Sequence, residues 1–301
     1  MLLSIDVGGT AVKFGMITRE GVLISRGEAD VSFDGYLTPI LNTVLLQAER
    51  FLAQQKHAIE GIGVSATGQV DDRTGVVIGT NGNIPGYEGT PFKAALEEKF
   101  KVPVQVLNDA NAAVLGEHFM GEAQGVDDVI MVTLGTGVGG GIICGGALLS
   151  GSRGIAGELG HFPIYLNGEL CSCGQRGCFE RYASTSALVK SAVKKNKSFL
   201  SGRAVFDAAE SGDALALSLL DEWIKNIASG IIGLIHIFNP SLVLIGGGVS
   251  AQKKLLIEPL KKKILAGAMP RFSENLEIKA ARHRNDAGLY GAARFWLDRE
   301  E

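Results

Sequence analysis

Along this 301-residue chain, short apolar runs bounded by glycine alternate with stretches in which apolar residues recur every three or four positions. The first pattern is that of strands buried on both faces, the second that of amphipathic helices. LLSIDVGGTAVKFGMI (2–17) and VIMVTLGTGVGGGIIC (129–144) both read apolar strand, glycine-rich turn with a threonine, apolar strand. They predict two hairpins from a duplicated architecture, and therefore two lobes. LIHIFNPSLVLIGGGVS (234–250) leads an apolar helix through Asn239-Pro240 into a strand and a third glycine turn. Over 36–56, Leu37, Leu41, Val44, Leu45, Ala48, Phe51 and Leu52 repeat at helical spacing, with Pro39 near the start. GIGVSATG (61–68) reads as a buried strand, Thr90 and Pro91 as the N-cap and first turn of a helix, and VPVQVL (102–107) as the strand that delivers Asn108 and Asp109. Strand alternating with helix makes the fold class α/β.

Composition narrows the function. Apolar residues make up 46% of the chain, enough for a sizeable core, and 29 basic against 32 acidic residues leave a net charge of −3. That balance offers no footprint for nucleic acid or an anionic membrane, and favours a small ligand. The start, MLLSIDVGGT, lacks the basic and long apolar regions of a signal peptide, so cytoplasm is the expectation. The 27 uncharged residues of 226–252 are broken by Asn239-Pro240 and by glycine, and predict no membrane span. Three of the four cysteines cluster, which suits a metal site in a reducing compartment, whereas Cys144 reads as a small core residue.

Chemistry enters at a few positions. Glycine turns between strands free backbone N–H groups for a phosphate chain, although hairpins need glycine in any case. Asp6 interrupts an apolar strand and calls for a metal ion, water or a cation as partner. Lys13 suits either a phosphate contact or an exposed strand position. Asp109, at the end of a buried strand, is placed to take a proton from a substrate hydroxyl; a helix cap is the plainer use of Asn108 or Asp109. Cys171, Cys173 and Cys178 form CxCxxxxC with His161 ten residues upstream, and three thiolates with one imidazole complete a tetrahedral zinc shell. A complete shell leaves no position for water, so the zinc is expected to be structural, drawing Glu158 and Glu180 together as acceptors for vicinal hydroxyls. The glycine turns, belonging to other strands, are expected to depend little on that loop.

DVGGTAVK (6–13), LNDANAA (107–113), TLGTGVGGG (133–141), GELGH (157–161) and CSCGQRGCFE (171–180) together resemble the ROK family of bacterial sugar kinases and repressors. The resemblance implies a two-lobed actin/hexokinase/Hsp70-like, ribonuclease H-like ATPase fold with its ligand cleft between lobes, divided here as 1–117 plus 287–301 and 118–286. It implies an ATP-dependent kinase that phosphorylates a hexose or hexose derivative, usually at the 6-hydroxyl, with Mg²⁺ and Asp109 as catalytic base. Gly68, Asn83, Asn108, Asp109, Glu158, His161 and Glu180 fall at sugar contacts, and His161 is also a zinc ligand with the three cysteines. Asp6, Gly8, Gly9, Thr10 and Lys13, with Gly135, Thr136 and Gly137, fall at the phosphates, and Gly246, Gly247 and Gly248 near adenosine. A homodimer is implied, and the uncharged helix of 227–238 is a candidate packing surface or, equally, a core helix of one chain. The alternative is a sugar-sensing regulator of the same family; its DNA-binding domain precedes the kinase-like part, and the first phosphate motif here begins at Asp6. GTNGNIPGYEGTPF (79–92) departs from the PNLPGW-like run of glucokinases, with Ile84 and Tyr87 for leucine and tryptophan, and Gln69 follows Gly68. Glucose, N-acetylmannosamine and β-glucosides all remain open as acceptors.

Overall fold

Each of the two repeated hairpins sits inside a five-stranded sheet. The computed structural model describes residues 1–80, 82 and 84–300. In the first sheet, β1 (Leu2–Val7), β2 (Ala11–Ile17) and β3 (Leu23–Asp30) form an antiparallel meander. Helix α1 (Ile40–Leu52) then leads to β4 (Gly61–Ala66), which pairs parallel to β1. A short ribbon of β5 (Gln69–Asp71) and β6 (Val76–Gly79) precedes α2 (Phe92–Phe100), β7 (Val104–Asn108) and α3 (Asp109–Met120). The order is β3-β2-β1-β4-β7.

The second sheet repeats this order. Its meander is β8 (Val129–Leu134), β9 (Val138–Cys144) and β10 (Ala147–Leu148). After the cysteine-bearing loop come α4 (Glu180–Ala183), α5 (Thr185–Lys195), α6 (Gly202–Glu210) and α7 (Ala214–Phe238), then β11 (Leu242–Gly246). Helices α8 (Glu258–Gly267) and α9 (Pro270–Ser273) lead to β12 (Glu277–Ala280), and the order is β10-β9-β8-β11-β12. Helix α10 (Ala287–Leu297) ends the chain.

The parallel strands β4, β8 and β11 are buried almost end to end, as continuous apolar runs require. Helix α10 returns to the first sheet and lies so close to α3 that a Cβ at Gly291 would come within 1.7 Å of the Ala112 carbonyl oxygen. Only glycine permits that approach, and it brings the start of α10 against β1. Among the described residues, no helix is long and apolar enough to cross a membrane.

The chain separates into one unit of Met1–Gln124, Leu148–Gly157 and Asn285–Glu301, and a second of Gly125–Ala147 and Glu158–Arg284. The sequence expectation of 1–117 plus 287–301 against 118–286 differs at three points, one of them that the last segment starts at Asn285 rather than at 287. Helix α3 runs on to Met120, and 148–157 joins the first unit, where Asn111 Nδ2 donates to the Ala156 carbonyl at 3.3 Å.

Three local expectations are corrected. The helix expected over 36–56 begins only at Ile40, because Tyr36 takes φ 66° and Asp34 binds the backbone and hydroxyl of Thr38. Leu37, counted in its apolar face, is exposed. Thr90 does not cap α2; its hydroxyl turns back to the Tyr87 carbonyl at 2.5 Å. Cys144 is exposed, since β9 leaves the ladder after Ile143.

Candidate active site

In the first unit the site grows from the paired positions Asp6 and Ser65 on β1 and β4. The carboxylate of Asp6 is shared: Oδ1 accepts the Ser65 hydroxyl at 2.7 Å and Oδ2 accepts Lys13 Nζ at 3.2 Å. Lys13 also donates to the Asn285 carbonyl at 2.7 Å, so it is no exposed strand lysine. The cation required by a polar residue in an apolar strand is therefore supplied from within the hairpin. A Cβ at Gly288, in the first turn of α10, would lie 2.6 Å from Asp6 Oδ1. In the turn itself the Gly8 N–H is closed on the Ala11 carbonyl at 2.9 Å and the Gly9 carbonyl accepts the Tyr36 hydroxyl at 2.7 Å, while Thr10 is exposed.

Asn108 and Asp109 stand where β7 becomes α3. Asn108 Oδ1 accepts the N–H groups of Ala110 and Asn111 at 2.9 and 3.1 Å, so the helix-cap reading holds for Asn108. Its amide does more, donating to the Gly68 carbonyl at 2.8 Å and to Asp109 Oδ1 at 3.0 Å. Asp109 Oδ1 also accepts the Ala110 N–H at 2.8 Å. One oxygen of this carboxylate is thus fixed by two donors at a helix N-terminus, which favours negative charge. Asn83 lies outside the described residues.

In the second unit the turn at Gly135, Thr136 and Gly137 is gripped from both ends. Glu180 Oε2 accepts the Val138 N–H at 2.9 Å, and the Thr185 N–H reaches the Gly135 carbonyl at 2.9 Å. A Cβ at Gly137 would sit 2.3 Å from Glu180 Oε2, so glycine is needed there. The expectation that this turn is independent of the cysteine loop is corrected: the residues just after Cys178 hold it. Beside it lies a 440 Å³ cavity lined by Gly135, Thr136, Thr185, Ser186, Val189 and Gly248, a size that suits a small-molecule ligand. Gly247 joins the cavity's turn to β8, with φ 83° and room for no Cβ, which would meet the Leu134 carbonyl oxygen at 2.1 Å. Gly246, at the end of β11, is buried. A larger cavity of 530 Å³, bordered by Tyr165, Leu166, Tyr182 and Lys225, contains none of the residues expected from the sequence.

His161, Cys171, Cys173 and Cys178 converge, with one ligand atom from each lying within 4.8 Å of the others. Cys171 Sγ is 3.5 Å from His161 Nδ1, and the sulfurs of Cys173 and Cys178 are 3.6 Å apart. A tetrahedron with Zn–S bonds of ~2.3 Å has edges of ~3.8 Å. The donor set and its spacing therefore fit a tetrahedral dication. Electrostatics agree, because burial, then the neighbouring sulfurs, push the Cys178 thiol up to about 12. Burial also raises Cys171, but hydrogen bonds from Cys173, His161 and Cys178 outweigh it and bring that thiol to about 7. A shared dication gives three thiolates a common counter-charge. His161 presents Nε2 toward Glu158 Oε2 at 4.0 Å, so the ring's second nitrogen faces away from the sulfurs. Glu158 is exposed and Glu180 half-buried.

Ser65, Asn111 and Thr185 also belong to these networks, though no sequence motif contains the role of any of them. Ser65 had a visible signal, as a hydroxyl inside an apolar strand like that of Asp6. Asn111 and Thr185 had none, because their importance lies in backbone partners 45 and 50 residues away in the chain.

The model of the ROK family matches residues 2–299. The chain is 34% identical to a glucokinase of Thermotoga maritima, covering 97% of this chain and 96% of that protein. It is 32% identical to a β-glucoside kinase of Listeria innocua, over 99% and 98%. A ROK family glucokinase from Streptomyces griseus, solved with glucose and AMPPNP, superposes with a TM-score of 0.81 at 33% identity, over 98% of each chain. With a family model matched over nearly its whole length and relatives at 32–34% identity covered almost end to end, the chain belongs to the ROK family.

Proposed function

We propose that this chain transfers the γ-phosphoryl group of ATP to a hydroxyl of a hexose or hexose derivative, the 6-hydroxyl being the acceptor. The observation that carries the reading is Asp109, a carboxylate at the end of a buried strand with one oxygen fixed by Asn108 and Ala110. In this role Asp109 takes the proton of the attacking hydroxyl. Glu158, His161 and Glu180 accept or donate to the remaining sugar hydroxyls; Glu180 gives Oε2 to Val138 and keeps Oε1 for the ligand. The glycine turns at 8–10 and 135–137 receive phosphate oxygens through backbone N–H groups, and the turn at 246–248 with the Val189 wall receives adenosine. Phosphoryl transfer asks for positioning and charge stabilisation more than covalent chemistry, and these residues offer both.

Asp6, an oxygen donor oriented by Ser65 and Lys13, is the residue that would hold Mg²⁺. When bound, that ion neutralises phosphate charge. His161, Cys171, Cys173 and Cys178 would hold a structural zinc, whose four protein ligands leave no place for a reacting water.

The deciding experiment is coupled detection of ADP release with Mg²⁺-ATP and a panel of glucose, N-acetylmannosamine and a β-glucoside. Sugar-dependent ADP release is expected for at least one. Tight sugar binding without turnover across the panel would favour the regulator reading instead.

A further inference from the structure

Tyr87 lies in the run NIPGYEG, and its side chain is only 2% exposed. Its ring meets Phe92 edge to face at 6.0 Å, and its carbonyl accepts both the N–H and the hydroxyl of Thr90. The turn is fastened to β6, with Gly89 N–H on the Val77 carbonyl at 2.8 Å and Val77 N–H on the Thr90 carbonyl at 3.1 Å. β6 pairs with β5 through Gln69 and Gly79, and Gly68, just before β5, receives the Asn108 amide. A hydrogen-bonded frame therefore runs from the Tyr87 turn to the residue beside Asp109.

Within that frame the phenol oxygen of Tyr87 is closed to solvent and has no hydrogen-bond partner among the described residues. Buried tyrosine hydroxyls ordinarily find one, and a native orphan calls for a functional explanation. Burial first, then the carboxylates of Asp109 and Asp6, raise the phenol pKa, so the hydroxyl stays a protonated donor. The two anions that act on it are the two carboxylates assigned to the chemistry. An oxygen shut off from solvent favours an acceptor from the protein over a sugar hydroxyl arriving from outside.

We propose that Tyr87 is a positioning residue for Asp109: in the sugar-bound protein its hydroxyl donates to the Asp109 carboxylate and so orients the oxygen that receives the proton. This rests on the kinase reading above. A purely structural orphan behaves oppositely under substitution, because Tyr87→Phe keeps the ring and removes only an unsatisfied group.

The test is Tyr87→Phe against wild type, measured by thermal unfolding and by kcat and KM for the sugar accepted in the panel. Expected are a melting temperature equal to or above wild type, kcat lowered ~10- to 100-fold as for a hydrogen bond to a charged group, and sugar KM within about twofold. Unchanged kinetics would overturn the assignment. So would a raised KM at unchanged kcat, which places the hydroxyl on the sugar, or a lowered melting temperature, which places its partner in the resting fold. If wild type itself shows no sugar-dependent ADP release, the kinase reading fails and takes this one with it; wild-type turnover beside an unaltered Phe variant sinks only the role of Tyr87.

Discussion

Asp109 illustrates how one residue type serves structure and chemistry together. Its Oδ1 is tied to Ala110 and Asn108 at the helix start, a duty that an amide oxygen performs as well. Asp109→Asn is therefore expected to fold and to bind sugar, yet to lose ~10²- to 10⁴-fold in kcat, the usual cost of removing a general base. Turnover near wild type with an intact fold would reduce Asp109 to a cap. A second residue-scale prediction concerns Gly137. An alanine Cβ would stand 2.3 Å from Glu180 Oε2 and force that carboxylate off the Val138 N–H. Gly137→Ala should weaken nucleotide binding ~10-fold or more, the scale of one charge-assisted hydrogen bond. Calorimetric titration with AMPPNP reads it directly, and unaltered affinity would show that Glu180 does not shape the turn. Asp6 and Asp109 were legible in the sequence because each is a charge at the edge of an apolar run. Ser65 was less so, since a serine in a strand carries no charge to demand an explanation.

Among the elements, the cysteine loop has the widest reach. Its spacing alone announced a four-ligand shell, but its neighbours did not follow from spacing. The short helix α4 begins at Glu180, two residues past Cys178, and that residue holds Val138, while Thr185 at the start of α5 holds Gly135. On the other side Leu159 and Gly160 press on β9, where a Cβ at Gly160 would come within 2.2 Å of the Val138 carbonyl oxygen. Both arms of the loop thus brace the second glycine turn. The protein as purified should carry about one zinc per chain, the ratio of one four-ligand shell. Cys173→Ser should lose that metal and weaken sugar and nucleotide together, whereas Glu180→Gln, whose amide oxygen still accepts from Val138, should keep zinc and nucleotide and lose sugar affinity. Elemental analysis beside both titrations separates the cases. A zinc-free Cys173 variant with normal nucleotide affinity would show that the loop does not support the turn.

At the scale of the whole molecule, a duplicated hairpin pattern was enough to expect two similar sheets, and both follow the order meander, then parallel strand, then parallel strand. Assembly is a separate matter. A homodimer is expected from the family, and sedimentation at micromolar concentration should give twice the 31.7 kDa chain mass; a stable species at the chain mass would remove it. The apolar stretch 227–238 contributes Ile227, Ile231, Leu234 and Ile235 to the core of the second unit, while Ile237 is exposed. An uncharged helix in the sequence does not say which of these uses it has. The same limit runs through the site. By itself the sequence determined the strands, the glycine turns, the aspartate after β7 and the ligand spacing of the cysteines, because period, turn chemistry and short spacings act over a few residues. Only the tertiary structure decided that Ser65 meets Asp6 across 59 residues, that Asn108 holds Gly68 across 40 and that Glu180 holds Val138 across 42. Those pairings depend on strand order and register, which bring distant positions side by side and leave no mark in any local pattern.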